Sequence, residues 1–211
     1  SATLLGERPA ILYRDRSLEE QRDISMVAMG DGTWAEPASI ADDGWIIPGC
    51  PVNGPVLAAS GEEPVAAWFT AARQTPQVRL SFAQDTPRIV ATGEAVIGRV
   101  SLLMEDENTA LVSWLEASSE EAADIRVRRV HRDGRMGDAL VLGSTSGSRG
   151  SGFPQLAWSN GEVVAAWTVP GEPSRVEAVQ LAAGAVPPLS ESVSAASAWR
   201  SGSVQLPDLP P

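Results

Sequence analysis

Three stretches of the chain repeat one another without a gap over fifteen residues: GPVLAASGEEPVAAW (54–68), VSLLMEDENTALVSW (100–114) and FPQLAWSNGEVVAAW (153–167). Each holds a short apolar run, a polar turn rich in Gly, Asn, Asp or Glu, and a second apolar run, which is the chemistry of a β-hairpin. A fourth copy stands near the start as GERPAILYRD (6–15), with Tyr13 in the register of Trp68, Trp114 and Trp167. The four aromatics are 55, 46 and 53 residues apart. A period of about fifty residues is the mark of a repeat architecture.

After each aromatic comes a polar loop and a third strand candidate: RDISMVAM, QVRLSFAQ, DIRVRRVH and SRVEAVQL. A further turn follows each of these, at GDGTW (30–34), QDTPR (84–88), RDGRMGD (132–138) and AAGAVPP (182–188), and then a fourth strand. The unit is a four-stranded antiparallel sheet. Repeated at this period, such sheets are the blades of a β-propeller, in which radial repetition leaves only short, protected edges. The alternative is a β-sandwich with accidental self-similarity. A blade is covered on both faces, so its second strand is apolar throughout rather than alternating, as in VAAW, ALVSW and VVAAW. The large aromatic then fills the widening gap between blades. On this reading Tyr13, the only tyrosine of the chain, is a structural residue.

Composition narrows the function classes. The chain has 211 residues and no transmembrane run. Its net charge of -11 argues against nucleic acid or an anionic membrane as a general partner, since both need a basic footprint. The single cysteine, Cys50, excludes an internal disulfide and a multi-cysteine metal site; with no histidine nearby it is expected to be a buried, inert thiol. His131 has no second histidine for a metal or a triad and is expected at the surface. The acidic MEDEN turn lacks the ligand spacing of a calcium loop. No metal or other cofactor is expected. The opening SATLLGERPAIL has neither the basic start nor the apolar run of a signal peptide.

The phrases YRDRSLEEQRDI, GCPVNGP, IGRV and SGFPQLAW, together with degenerate turns such as GDGTW, resemble the bacterial sialidase-like (exo-α-sialidase, BNR-repeat) propellers over the chain up to about Leu189. The family's Asp-box, S-x-D-x-G-x-x-W, is not intact: VAMGDGTW keeps the tryptophan but has Met29 where the aspartate belongs, and SFAQDTP is shortened. The resemblance implies six blades, whereas the chain supplies about four, and Ser1 falls opposite Val56 inside a first strand. The expected organisation is a propeller over 1–189, part of a larger, N-terminally truncated ring, followed by a Ser/Ala/Pro-rich tail or linker over 190–211. A closed four-bladed ring, with SVQL (203–206) completing the first blade, is the alternative. The resemblance also implies a secreted or periplasmic protein.

Strand order defines one functional rim. In an antiparallel blade the loop from second to third strand and the loop leading into the next blade emerge on the same side. That rim carries 13–23, 70–76 and 116–124 together with 44–54, 93–99 and 145–152. Three of its arginines, Arg22, Arg99 and Arg149, come from separate blades. The resemblance implies a carboxylate held by three arginines, for which the planar guanidinium is suited by its bidentate pairing. Arg99 immediately precedes a first strand, aligned with Asn53 and Gly152, and is expected to face the axis while contributing little to packing. Asn53 joins this substrate-binding set. The alternative pairs these arginines with rim acids such as Asp23, Glu19 or Glu94. The resemblance further implies a tyrosine nucleophile with a glutamate and an aspartate acid/base, for which Tyr13, Glu116 and Asp23 are the available residues. The family's F/Y-R-I-P motif is absent, since YRDR continues with Asp15. The function expected is a sialidase-like glycoside hydrolase binding an anionic sugar. The alternative is a non-catalytic propeller presenting its rim to a glycan or a protein. Open end blades would expose apolar faces and favour oligomers.

Overall fold

Tight reversals set the start of each sheet. In the computed structural model, which describes residues 1–83 and 85–190, the pair Asn160 and Gly161 takes φ of 52° and 80°, the left-handed geometry that a two-residue hairpin turn requires. The first sheet comprises β1 (Ala2–Leu5), β2 (Arg8–Arg14) and β3 (Ile24–Gly30), with β4 (Thr33–Trp34) and β5 (Ala38–Ala41) both pairing β3. The second is β6 (Val56–Ser60), β7 (Glu63–Thr70), β8 (Gln77–Phe82) and β9 (Arg88–Thr92). The third is β10 (Val96–Met104), β11 (Thr109–Ala117), β12 (Ala122–His131) and β13 (Leu140–Ser146). The fourth has three strands among the described residues, β14 (Gln155–Ser159), β15 (Glu162–Val169) and β16 (Arg175–Ala182). Every pairing is antiparallel and joins strands consecutive in the chain, except that β5 pairs back onto β3. The fourth strand expected after 182–188, the closing SVQL strand and the tail beyond Ser190 lie outside the described residues.

The repeated aromatic is what joins one sheet to the next. Trp68 is fully buried in a cluster with Leu12, Ile24 and Ala41 of the first sheet. Trp114 is buried with Val65, Val78 and Val90 of the second, and Trp167 with Leu111, Leu115 and Ile125 of the third. Each blade thus inserts its aromatic into the blade before it, and burial of so large a ring dominates the contact. Tyr13 holds the same register, opposite Ser25, but no described blade precedes its sheet and the ring is only half-buried.

Two of these rings are also pinned by charge. The Trp68 indole donates to Asp43 Oδ2 at 2.7 Å, and Arg79 Nη1, cross-strand from Trp68, donates to Asp43 Oδ1 at 2.6 Å. In the third blade the Trp114 indole donates to Glu116 at 3.0 Å, and its cross-strand Arg126 lies 3.5 Å from the same carboxylate. The fourth blade has Glu177 opposite Trp167, and there the buried indole nitrogen has no partner among the described residues. Along the inner edge, the hydroxyls of Ser1 and Ser101 each accept the amide of the next blade's first strand, Leu57 and Leu156, at 3.1 Å. The architecture is a β-propeller arc of four blades. Among the described residues no hydrogen bond links the fourth sheet to the first.

Candidate functional site

The rim is organised by a residue that the sequence reading passed over. Arg14 ends β2 in the register filled by Phe69, Leu115 and Thr168 in the other blades. Its guanidinium donates to three backbone carbonyls, of Asn53 at 3.1 Å, of Arg22 at 2.8 Å, and of Phe69. It also lies 5.0 Å over the Trp45 ring, which meets Phe69 edge-on. Burial pushes Arg14 down to about 10, against the pull of Asp43 and Asp23; at neutral pH it remains a cation. One arginine in an apolar register was the signal for it.

Asn53 carries the chain of contacts into the third blade. Nearly buried, it accepts the Arg99 amide at 2.7 Å and donates to Ile97 O at 3.0 Å. This clasp holds a double irregularity of β10, where the register shifts on either side of Gly98. Gly98 has φ of 92°, and a Cβ there would stand 2.7 Å from the Phe69 ring and 2.8 Å from Asn53 Oδ1. Gly98→Ala is therefore expected to cost roughly 1–3 kcal/mol from overpacking alone, before the backbone strain is added. Thermal unfolding against Gly93→Ala, where nothing lies within 4 Å, separates the clash from the cost of a left-handed φ.

Arg99 stands within the strand, not before it, and the expectation that it contributes little to packing is corrected here. Its own φ is 54°, and the bulge turns the side chain toward the fourth blade, leaving the residue 4% exposed. Its guanidinium donates to Ser151 Oγ, Gly152 O and Gly147 O, so it secures the loop that carries Arg149. Burial lowers its affinity for its proton, and the neighbouring Arg149 lowers it further. Arg149 is exposed in a short 3-10 turn, Arg149–Ser151. Neither arginine has an ion-pair partner among the described residues. The structure therefore brings Arg99 and Arg149 together. Arg22 stands at the other end of the relay, paired with Glu20 at 2.6 Å and donating to Gly49 O at 2.9 Å. With Arg16, Pro48 and Cys50 it lines an open cavity of about 500 Å³.

The proposed acid, base and nucleophile do not share a setting. Tyr13 lies on the outward face of the first blade. Asp23 caps a loop, accepting the Gly44 amide at 2.9 Å and the Gln21 amide group. Glu116 is engaged by Trp114 and Arg126 in the groove between the second and third blades. Glu19 and Glu94 are exposed and enter no ion pair among the described residues. Cys50, expected to be buried, is exposed: the loop around it, rich in proline and glycine, pairs with no strand that would cover it. His131 has its Nδ1 2.9 Å from Asp133 on the opposite rim.

Fold and rim define a class, a β-propeller arc whose loop face is tied together by Arg14 of the first blade, Asn53, and Arg99 of the third. No protein-family model matches the chain, and no curated protein matches it. Among solved structures it is similar to an α-L-arabinofuranosidase from Lactobacillus brevis, over 84% of this chain and 70% of that one, at 8% identity and a TM-score of 0.46. It is similar to a thermostable family-43 glycoside hydrolase over 85% and 69%, at 9% identity and a TM-score of 0.48. A Bombyx mori GH32 β-fructofuranosidase, BmSUC1, is similar over 80% of this chain and 42% of its own, at 9% identity and a TM-score of 0.46. At these identities the likeness concerns the fold and not the chemistry of the rim.

Proposed function

We propose that the protein binds a carboxylate-bearing glycan on its loop rim, with Arg149 as the contacting cation and Arg99 as the buried cation behind it. The supporting observation is positive charge without a counter-ion. In a chain of net charge -11, two neighbouring guanidinium groups from adjacent blades share no carboxylate among the described residues. A desolvated cation beside a second cation is costly, and an anion placed against the pair relieves that cost. Asn53 is a positioning residue in this reading, since it fixes the Arg99 backbone. A glycan outside the cell is the natural setting, which accords with a secreted or periplasmic protein.

Binding is favoured over hydrolysis. A sialidase-like reaction would need Tyr13, Asp23 and Glu116 around one sugar, and each has a separate engagement or face. Titration with sialic acid and with a neutral hexose tests the reading. The wild type is expected to bind the acid and not the hexose. Arg149→Gln is expected to lose at least tenfold in affinity, the scale of one charge-assisted hydrogen bond of about 1.5–3 kcal/mol. Equal binding by both proteins, or none by either, would sink it. Release of a reporter from an aryl sialoside would return the hydrolase reading instead.

A further inference from the structure

We infer that the groove between the second and third blades binds a free α-amino acid with an aliphatic side chain, its carboxylate against Arg126 and Arg128 and its ammonium group against Glu116. Strand alternation builds the site. Arg126 and Arg128, on β12, lie opposite Trp114 and Val112 of β11, which pack into the second blade, so both arginines stand on the face turned toward that blade. There they line a cavity of about 340 Å³ with Glu116, Ile89, Ala91 and Ala139, and the wall behind them is Trp114, 1% exposed. The cavity is walled by two described blades and is at the small end of the range for ligand sites.

Its donors lack acceptors. Five buried side-chain polar atoms have no hydrogen-bond partner among the described residues, and two of them, Nε of Arg126 and Nε of Arg128, belong to this one cavity. Folded proteins satisfy such donors almost everywhere, so two orphans in one place mark a missing acceptor. Arg128 enters no ion pair among the described residues; its Nη1 donates to Val90 O, which anchors the side chain across the seam. Arg126 makes no hydrogen bond among the described residues, and its Nε and Nη2 stand 3.5 Å from Glu116 Oε1 and 3.6 Å from Asp124 Oδ2. Glu116 accepts the Trp114 indole on Oε2 at 3.0 Å, and its Oε1 accepts nothing among the described residues.

Charge of both signs selects the ligand. A simple anion set against the guanidinium groups would also meet the Glu116 carboxylate, and a simple cation set against Glu116 would meet the guanidinium groups. An α-amino acid carries a carboxylate and an ammonium group on one carbon, so it supplies acceptors to the two Nε–H groups and donors to Glu116 Oε1 together. It also adds no net charge to a groove whose two cations already face Glu116 and Asp124. A residue inside a peptide lacks both charged groups, which makes the free amino acid the occupant. Its side chain then lies along Ile89, Ala91 and Ala139, an apolar wall suited to an aliphatic group.

Titration calorimetry with L-leucine, N-acetyl-L-leucine and L-leucinamide tests this. The wild type is expected to bind leucine and to bind each derivative at least tenfold more weakly, since one lacks the ammonium group and the other the carboxylate. Arg128→Gln and Glu116→Gln are each expected to weaken leucine binding at least tenfold. Both residues also hold groups of the blade seam, so Ala139→Leu serves as a variant that fills the cavity and keeps every charge; it is expected to abolish leucine binding, with circular dichroism showing the fold intact. A wild type that binds no leucine overturns the inference. Equal binding of leucine and N-acetyl-L-leucine also overturns it, since that result belongs to a site for simple carboxylates, and so does leucine binding that all three variants retain.

Discussion

Replacing Asp43 with alanine is expected to lower stability by about 2–4 kcal/mol, the cost of leaving a buried indole N–H and a partly buried guanidinium without their acceptor. The carboxylate is 1% exposed, and it accepts the Trp68 indole and the Arg79 guanidinium at 2.7 and 2.6 Å. Its loss leaves a half-buried cation and an indole N–H without their carboxylate between the first two blades, and it removes the anion that acts most strongly on Arg14. Asp43→Asn keeps an acceptor for the indole and should fall between alanine and wild type. The control is its neighbour Asp42, an exposed acid that takes one hydroxyl, from Ser39. Asp42→Ala should cost no more than about 1 kcal/mol. Urea unfolding of the three variants decides it: an Asp43→Ala midpoint matching that of Asp42→Ala would remove the carboxylate from any role in joining the blades.

The repeat was legible because blade packing constrains one position severely. Only a large ring fills the wedge between sheets, so Trp68, Trp114 and Trp167 recur in phase and carry the hairpin register with them. The contacts of the rim were less legible, and bulges explain much of it. A gap-free alignment begins the third blade's first strand at Val100, whereas β10 begins at Val96 and spends residues on two irregularities. That difference sets Arg99 against the loop leading into the fourth blade, and nothing in residue type signals it. Arg14 was visible in principle, as an arginine where other blades place Phe69, Leu115 or Thr168, but its partners are backbone carbonyls, which leave no trace in sequence. Glu116 reads as a solvated loop acid until β11 is seen to extend through Ala117, which sets the carboxylate beside Trp114 and Arg126.

The aromatic series offers the sharpest comparison of equivalent positions. Trp68→Ala and Trp114→Ala are each expected to cost about 3–5 kcal/mol, the range for deleting a fully buried ring and leaving a cavity. In a chain of repeats, stability is a sum of blade and nearest-neighbour terms, so the location of the loss matters as much as its size. Trp68→Ala should release the first blade as a separate early transition, whereas Trp114→Ala should divide the arc between its second and third blades. Trp167→Ala should cost somewhat less, because its indole nitrogen is already buried without a partner among the described residues and its removal relieves that penalty. Tyr13→Ala, at the same register, is expected to cost no more than about 1 kcal/mol in dilute solution, since its ring is already partly exposed and no described blade receives it. Denaturant unfolding followed by tryptophan fluorescence and by far-ultraviolet circular dichroism measures all four. A Tyr13→Ala loss as large as that of Trp68→Ala, at a concentration where the protein is monomeric, would mean that the first blade's outward face is covered within a single chain.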